Sequence, residues 1–144
     1  AKLLSHSMVK SVKNSLKFKF PSLKFINKKN PFSKIINDYG LSIHVFLGTP
    51  FFESMYIDKP CILIFEKKMH MNFDKKFTSI LEKLKNNNIC FNSAYEASKF
   101  LNKNSNNIYK WWDNKKLKKI KKEFCNIYCN NFNSDRDVFK KLFS

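Results

Sequence analysis

Two short apolar runs near the middle of the chain, at 42–47 and 61–65, predict two β-strands. The first run mixes β-branched and aromatic residues and ends at Gly48, which is typical of a strand that enters a turn. The second run is apolar throughout, as expected of a parallel strand that is covered on both faces. Pro60 precedes it and disfavours helix both at its own position and at the preceding residue. The pattern therefore predicts a βαβ core over residues 39–65.

The turn after the first predicted strand has the composition of an anion-binding site. Thr49 is a good N-cap and Pro50 suits the first helical position. A helix that starts at the carboxyl end of a parallel strand directs unpaired backbone N–H groups at anionic ligands such as phosphate. Glu53 would then lie in the first turn, one position beyond the glutamate of a capping box. Acidic residues near a helix start also complement the helix dipole, so a ligand role and a structural role for Glu53 are equally open.

Helices are expected to dominate the chain after residue 72, because apolar residues recur there at helical spacing. The apolar run 89–91 predicts a third short strand. Ser93 and Glu96 then have the Ser-x-x-Glu form of a capping box at the start of the next helix. A later helix carries lysines on its polar side over 115–122. The apolar positions of the four helices are Phe73, Phe77, Ile80, Leu81 and Leu84; Ala97, Phe100 and Leu101; Leu117, Ile120, Phe124, Cys125 and Tyr128; and Val138, Phe139, Leu142 and Phe143.

The N-terminal segment of the chain is basic and is interrupted by Pro21 and Pro31. Apolar residues between 18 and 26 predict a short strand, and 32–37 predicts one helical turn. Together with the central core, these elements define an α/β fold with a short parallel sheet, flanking helices and a helical C-terminal segment. A chain of 144 residues has the usual size of one domain, so residues 1–144 are expected to form a single domain.

The charge of the chain is strongly positive, with 28 lysine and arginine residues, 11 acidic residues and a formal net charge of +17. Arg136 is the only arginine, whereas base recognition and bidentate phosphate binding favour arginine. AT-rich codons encode lysine, asparagine, phenylalanine and isoleucine, so a biased genome composition explains the charge better than a nucleic-acid ligand does. We therefore expect no specific nucleic-acid partner. Lysines at 10–34 and 115–122 still leave open a sequence-independent contact with membrane phospholipid or nucleic acid.

No metal site and no cofactor are predicted. Cys125 and Cys129 have a spacing that metal ligands use, but Cys61 and Cys90 lie in predicted strands and no histidine pair completes a site. Four reduced thiols are typical of a cytoplasmic protein. No apolar run approaches the roughly 20 residues of a membrane-spanning helix, and no apolar core of a signal peptide is visible.

Two histidines and a tryptophan pair have residue types that binding sites use. His44 alternates with apolar neighbours in the first strand, which favours a hydrogen-bonded histidine at the core or its rim over a catalytic one. His70 lies in the loop 66–72 after the second strand, so a substrate contact and simple solvent exposure both stay open. Trp111 and Trp112 could stack on a sugar or base, although adjacent aromatic residues at a helix start more commonly anchor the helix to the core.

Three segments of the chain, 44–65, 111–114 and 123–128, together resemble the C-terminal part of a family of bacterial transferases linked to surface carbohydrate, with a GT-B glycosyltransferase-like architecture. In that family a strand leads into a Gly-Thr-Thr/Pro turn, a helix with Leu-Glu or Phe-Glu follows, and a proline precedes the next strand. The Trp-Trp-Asp-Asn element and the aromatic-Cys helix after it are similar to the family's closing segment. The present chain matches the first pattern at Gly48, Thr49, Glu53 and Pro60.

The resemblance implies a Rossmann-like domain that binds a nucleotide-sugar donor. By the resemblance, Glu53 accepts hydrogen bonds from the ribose, and Gly48, Thr49 and Pro50 hold the diphosphate. The resemblance also implies that an N-terminal domain with the acceptor site and the catalytic base is missing. The start at Ala1, without an initiator Met, indicates either a fragment or a processed product. A fragment alone would be inactive, and no catalytic base is assigned to this chain.

The function implied by the resemblance is synthesis of surface carbohydrate or lipid-linked glycan, at a cytoplasmic location peripheral to the inner membrane face. The lysines would supply the peripheral membrane contact. Two other functions stay open. One is a basic nucleic-acid or membrane-surface binding module without catalysis, and the other is a non-catalytic domain that keeps the fold without binding a donor.

Overall fold

The computed structural model describes residues 6–26, 31–66 and 73–129. Contacts divide the chain into two units, Ala1–Asn30 and Pro31–Ser144, which are described separately. The helices are α1 His6–Lys19, α2 Phe32–Ile35, α3 Thr49–Tyr56, α4 Lys75–Lys85, α5 Ala94–Asn104, α6 Ile108–Trp112 and α7 Lys115–Tyr128; the strands are β1 Ser42–His44, β2 Cys61–Ile64 and β3 Cys90–Phe91; single 3-10 turns span Ile36–Asp38 and Ser105–Asn107.

Within residues 6–26, the first unit contains α1 and the extended segment that follows it. The strand predicted between residues 18 and 26 is wrong, because Phe18 lies within α1 and the Phe20 N–H donates to the Leu16 carbonyl. Pro21 then ends the helical hydrogen bonding, since proline has no N–H to continue it. The Leu23 N–H closes a turn on the Phe20 carbonyl.

The second unit contains a three-stranded parallel sheet in the order β1-β2-β3. Ser42 pairs with Cys61 and His44 with Leu63, while Leu63 also pairs with Cys90. Helix α3 connects β1 to β2, and α4 connects β2 to β3. The predicted βαβ core and the predicted third strand are therefore confirmed.

Helices cover both faces of the sheet, which explains the uninterrupted apolar sequence of β2. On one face, Leu63 packs in a core with α3, α4 and α7, where Phe52 stacks on Phe124 at 5.5 Å between ring centroids. On the other face, Ile62 packs with Phe91 and Ala97 beneath α5. The structure thus confirms the α/β fold with a short parallel sheet, flanking helices and a helical C-terminal part.

Side-chain caps fix the starts of the helices that follow β2 and β3. The Asp74 carboxylate accepts the Phe77 N–H at 2.6 Å at the start of α4. At the start of α5, Ser93 Oγ accepts the Glu96 N–H and the Glu96 carboxylate accepts the Asn92 N–H. The predicted capping box is therefore confirmed, with the return hydrogen bond made one residue earlier than in the usual motif.

One lysine of α7 is buried, against the expectation that all the lysines of 115–122 face solvent. Lys121 is 4% exposed, and its Nζ lies 2.6 Å from Asp58 Oδ1, 2.9 Å from the Trp112 carbonyl oxygen and 4.1 Å from the centroid of the Trp112 ring. Asp58 has a left-handed backbone, with φ of 56°, just after α3. Trp112 Nε1 also donates to Asp58. This arrangement holds α6 and α7 to the connection between α3 and β2.

None of the described helices is long and apolar enough to cross a bilayer. The helix predicted at 138–143 lies outside the described residues.

We predict that Phe124→Ala destabilises the protein by about 3–5 kcal/mol, because it leaves a cavity between α3 and α7. Phe124 is fully buried, whereas Phe18 is 89% exposed, so Phe18→Ala is the matched control and should leave stability nearly unchanged. Urea unfolding followed by circular dichroism measures both variants. Equal effects of the two substitutions would contradict the core described above.

We also predict that Asp58→Asn destabilises by about 1–2 kcal/mol, because the buried Lys121 ammonium loses its counter-charge. Asparagine tolerates the left-handed backbone, so the substitution tests the charge and not the turn. Asp113 pairs with Lys118 on the surface, and Asp113→Asn should cause no measurable change. The midpoints of thermal unfolding compare the two variants, and an effect of Asp113→Asn as large as that of Asp58→Asn would count against the prediction.

Candidate functional site

The helix start predicted to bind an anion lies directly after β1. Gly48, and not Thr49, is the N-cap of α3, with an extended backbone at φ −150° and ψ 172°. The Gly48 carbonyl accepts the first helical hydrogen bonds, from Phe51 at 2.9 Å and from Phe52 at 3.4 Å. The predicted N-cap is therefore wrong by one residue. As a result, Glu53 lies in the second turn of α3 and not in the first.

The start of α3 differs from the starts of α4 and α5, which also follow strands of the sheet. The latter two are capped by the side chains of Asp74 and Ser93, whereas no side chain caps the Gly48 position. Parallel strands direct their carboxyl ends to one edge, where ligands of open α/β sheets bind. Among the described helices that follow strands, α3 is thus the one whose start has no side-chain cap.

Two features reduce the donors that this helix start offers. Pro50 has no N–H, and the N–H of Phe51 already donates to Gly48. The Phe46 ring also lies over Gly48, since a Cβ added at Gly48 would be only 2.5 Å from Phe46 Cε2. A side chain at position 48 would force the Phe46 ring to move. An anion must therefore reach the turn from the side away from Phe46 or displace the ring.

Thr49 and Glu53 lie on the same side of α3, because residues four apart on a helix are neighbours. Both are half-buried, whereas Phe51 and Phe52 between them are buried in the core. The Oε2 atom of Glu53 is shielded from solvent, and the residue already has an interaction within the chain. A ligand of Glu53 would therefore have to share or replace that interaction.

A small polar network lies under the helix start and joins it to β1. His44 Nε2 is 3.1 Å from Ser54 Oγ and 2.9 Å from Ser42 Oγ, and Ser54 Oγ donates to the Pro50 carbonyl at 2.8 Å. Ser42 Oγ and Ser54 Oγ also lie 3.2 Å apart, so the imidazole and the two hydroxyl groups form one hydrogen-bonded cluster. The network fixes the first turn of α3 relative to the strand.

His44 is a hydrogen-bonded core residue, as its position in the strand predicted. It is 9% exposed, and its ring makes edge contacts with Phe32 and Phe51, each at 5.7 Å between centroids. Burial lowers the pKa of His44 to about 4, so the imidazole is neutral at pH 7. Its hydrogen-bond partner Ser54 was not predicted from the sequence. Ser42 could have been found, because residues two apart on a strand share a face.

The tryptophan pair anchors α6 to the core, as the more common role of such pairs predicted. Trp112 is buried and donates to Asp58, and Trp111 Nε1 donates to the Asn87 carbonyl at 3.2 Å. The indole N–H groups are therefore used inside the protein. The contact of Lys121 with Asp58 and Trp112 was not predicted from the sequence, because no spacing rule connects positions 58 and 121.

The cysteines at the described positions have free thiols. Burial raises the pKa of Cys61 and raises that of Cys90 to about 12. Cys129 hydrogen-bonds to Cys125, which lowers the pKa of Cys125 and raises that of Cys129. Within 6–26, 31–66 and 73–129, no group of three or more His, Cys, Asp and Glu side chains is arranged to hold a metal ion.

Residues 4–143 match the sequence profile of the LIC12162 family transferase. The chain belongs to this family. Comparisons with curated proteins and with solved structures found no match. The chain is therefore a member of a transferase family, and its Rossmann-like α/β fold agrees with this membership.

The sequence-predicted site residues of this LIC12162 family chain fall into two groups. Gly48, Thr49, Pro50 and Glu53 come together at the start of α3. His70 lies outside the described residues, so its predicted substrate contact stays a prediction.

We predict that the stability of the protein falls by about 2–3 kcal/mol through His44 as the pH drops from 7.5 to 4.5. The folded-state pKa of about 4 lies below the ordinary value of 6.5, so the unfolded chain takes up the proton first. This contribution is complete above about pH 6.5 and is lost as the pH falls towards 4.

Urea unfolding of the wild type and of His44→Gln at both pH values measures this contribution. Glutamine keeps a donor near the position of Nε2 but does not titrate, so the variant should lack this part of the pH dependence. The same pH dependence in both proteins would show that His44 is not the group responsible.

Proposed function

We propose that this chain is the donor-binding half of a glycosyltransferase-like enzyme with GT-B architecture, which uses a nucleotide-activated sugar to build surface carbohydrate or lipid-linked glycan. The observation that carries the proposal is the start of α3, which follows β1 of a parallel sheet, has no side-chain cap and presents Thr49 and Glu53 on one side. Membership of a transferase family supports it.

In this proposal the backbone around Gly48, Thr49 and Pro50 binds the diphosphate of the donor, assisted by the positive end of the α3 dipole. The Glu53 carboxylate accepts hydrogen bonds from the ribose hydroxyls. Electrostatic stabilisation of the diphosphate and fixed orientation of the donor favour departure of the nucleotide from the sugar. The proposal assigns the acceptor site and the catalytic base to an N-terminal domain and gives this chain no base.

The Phe46 ring sets a condition on this mode of binding. Because the ring lies over one side of Gly48, a diphosphate that contacts the Gly48 backbone approaches from the other side or displaces the ring. Phe46 is 59% exposed, so its ring can turn into solvent without disturbing the core. Phe46→Ala should therefore preserve or strengthen nucleotide binding.

The second candidate function is a basic surface that binds anions without catalysis. The exposed lysines of α7 favour it: Lys115, Lys116, Lys118, Lys119 and Lys122. Such a surface binds any polyanion, depends steeply on salt and does not involve Glu53.

We predict that Glu53→Gln weakens nucleoside diphosphate binding by about 10- to 100-fold, because hydrogen bonds to a charged acceptor contribute about 1.5–3 kcal/mol each. Two-dimensional NMR titration of the full chain with uridine, cytidine, guanosine and thymidine diphosphates and CMP, at moderate salt, measures it. Glu82→Gln is the matched control, because Glu82 lies exposed on α4, far in sequence from the start of α3, and pairs with Lys85 of the same helix.

Shifts that select one base, lie at the start of α3 and disappear in Glu53→Gln would support the donor site. Shifts of similar size for every nucleotide, lost in high salt and unchanged in Glu53→Gln, would favour the basic surface. A loss of several kcal/mol of stability in Glu53→Gln would show that Glu53 is structural.

A further inference from the structure

The segment 10–26 combines exposed apolar side chains with lysines. Phe18 is 89% exposed, Phe20 56% and Val12 53%, and Leu23, Phe25 and Ile26 are also exposed. Isolated exposed apolar residues are common on proteins, but a group of this size within 17 consecutive residues indicates an interaction surface.

The residues of α1 are arranged in rows on the helix. Val12, Leu16 and Phe20 are four residues apart and form an apolar row, since the helical hydrogen bonding extends to the Phe20 N–H. Lys10, Lys13 and Lys17 form a neighbouring basic row. The extended segment after the helix returns towards it, because Lys13 Nζ lies 5.5 Å from the centroid of the Phe25 ring.

The charge of this segment has a single sign. Lysines occur throughout the first 37 residues, and the first acidic residue of the chain is Asp38. A helix with an apolar row beside a lysine row and low overall hydrophobicity is the type that lies in the interface of an anionic bilayer. Phe18 is two residues from Phe20 and therefore lies on another side of the helix, outside this row. Lysine stems can extend along apolar surface while the ammonium groups reach lipid phosphates.

Two other classes of partner fit the same residues less well. Lysine is depleted in protein–protein interfaces, whereas here it alternates with the apolar residues. Nucleic acid would use the lysines and stack on the phenylalanines, but it gives no apolar partner to Val12, Leu23 or Ile26. The first 37 residues also contain no arginine.

We propose that the segment 10–26 is a membrane-docking element that inserts the apolar row of Val12, Leu16 and Phe20 into the interface of an anionic lipid bilayer, with its lysines on the phosphate groups. This inference is independent of the proposed donor site, because no residue of the segment belongs to that site.

Co-sedimentation of the full chain with vesicles tests the proposal. We expect binding to phosphatidylcholine vesicles that contain phosphatidylglycerol, and at least tenfold weaker binding to phosphatidylcholine alone, because each lysine near an anionic surface contributes about fivefold. Replacing Lys10, Lys13 and Lys17 with glutamine should weaken binding at least tenfold. The matched control replaces Lys115, Lys116 and Lys119 of α7, which removes the same charge elsewhere and should have a much smaller effect.

Substitutions in the apolar row separate insertion from electrostatic adsorption. Val12→Ala with Phe20→Ala should weaken vesicle binding at least tenfold, whereas Tyr95→Ala with Tyr109→Ala removes two exposed aromatic rings elsewhere and should not. In Phe20→Trp, anionic vesicles should shift the tryptophan emission to shorter wavelength and brominated lipid should quench the added signal. Circular dichroism must show the same fold for every variant.

Equal loss of binding in the two triple-lysine variants would overturn the proposal in favour of a general basic surface. Retention of binding in the variant with Val12→Ala and Phe20→Ala would also overturn it. So would concentration-dependent self-association that these two substitutions abolish, because a second copy of the chain would then be the partner. Glu53→Gln should bind vesicles like the wild type, so failure of the donor site and failure of the membrane element are separate results.

Discussion

The burial of the central strand β2 between two layers of helices is the constraint on which the rest of the second unit depends. Ile62 and Leu63 are both fully buried, although they face opposite sides of the sheet. A strand of four residues can be covered on both faces only if helices arrive from both sides, which the parallel connections α3 and α4 and the later helix α5 provide. The stacking of Phe52 on Phe124 then adds α7 to the same layer as α3.

The same packing decides which polar groups are available for binding. His44 and Ser54 are enclosed by the core layer, and they satisfy each other and the Pro50 carbonyl instead of facing a ligand. Desolvation keeps the imidazole neutral, and a neutral imidazole beside two hydroxyl groups positions the turn without adding charge to it. The charge available to the helix start is therefore the α3 dipole together with Glu53.

Lysines dominate the charge of the chain, but their environments differ. Lys121 is enclosed by Trp112 and Asp58. Its ammonium group donates hydrogen bonds to the Asp58 carboxylate and the Trp112 carbonyl, and it lies over the face of the Trp112 ring. The other described lysines of α7 are exposed, and those of α1 lie beside exposed apolar residues. A compositional bias towards lysine explains their number, whereas only their surroundings distinguish a structural lysine from one available to an anionic partner.

Local patterns by themselves determined the order of the elements in the second unit, its α/β class and the capping of α5, because these depend on apolar periodicity, proline and short-range hydrogen bonds. The strand expected at 18–26 was wrong, since an alternation of Phe and Lys also fits a helix that ends at a proline. The start of α3 was misplaced by one residue, because the carbonyl that closes the first turn is chosen by backbone geometry. Only the tertiary structure decided that Ser54 hydrogen-bonds to His44 and that Lys121 is buried against Asp58. Both contacts join different elements of the fold, and a local sequence pattern does not predict which of several similar side chains contacts a partner across the core.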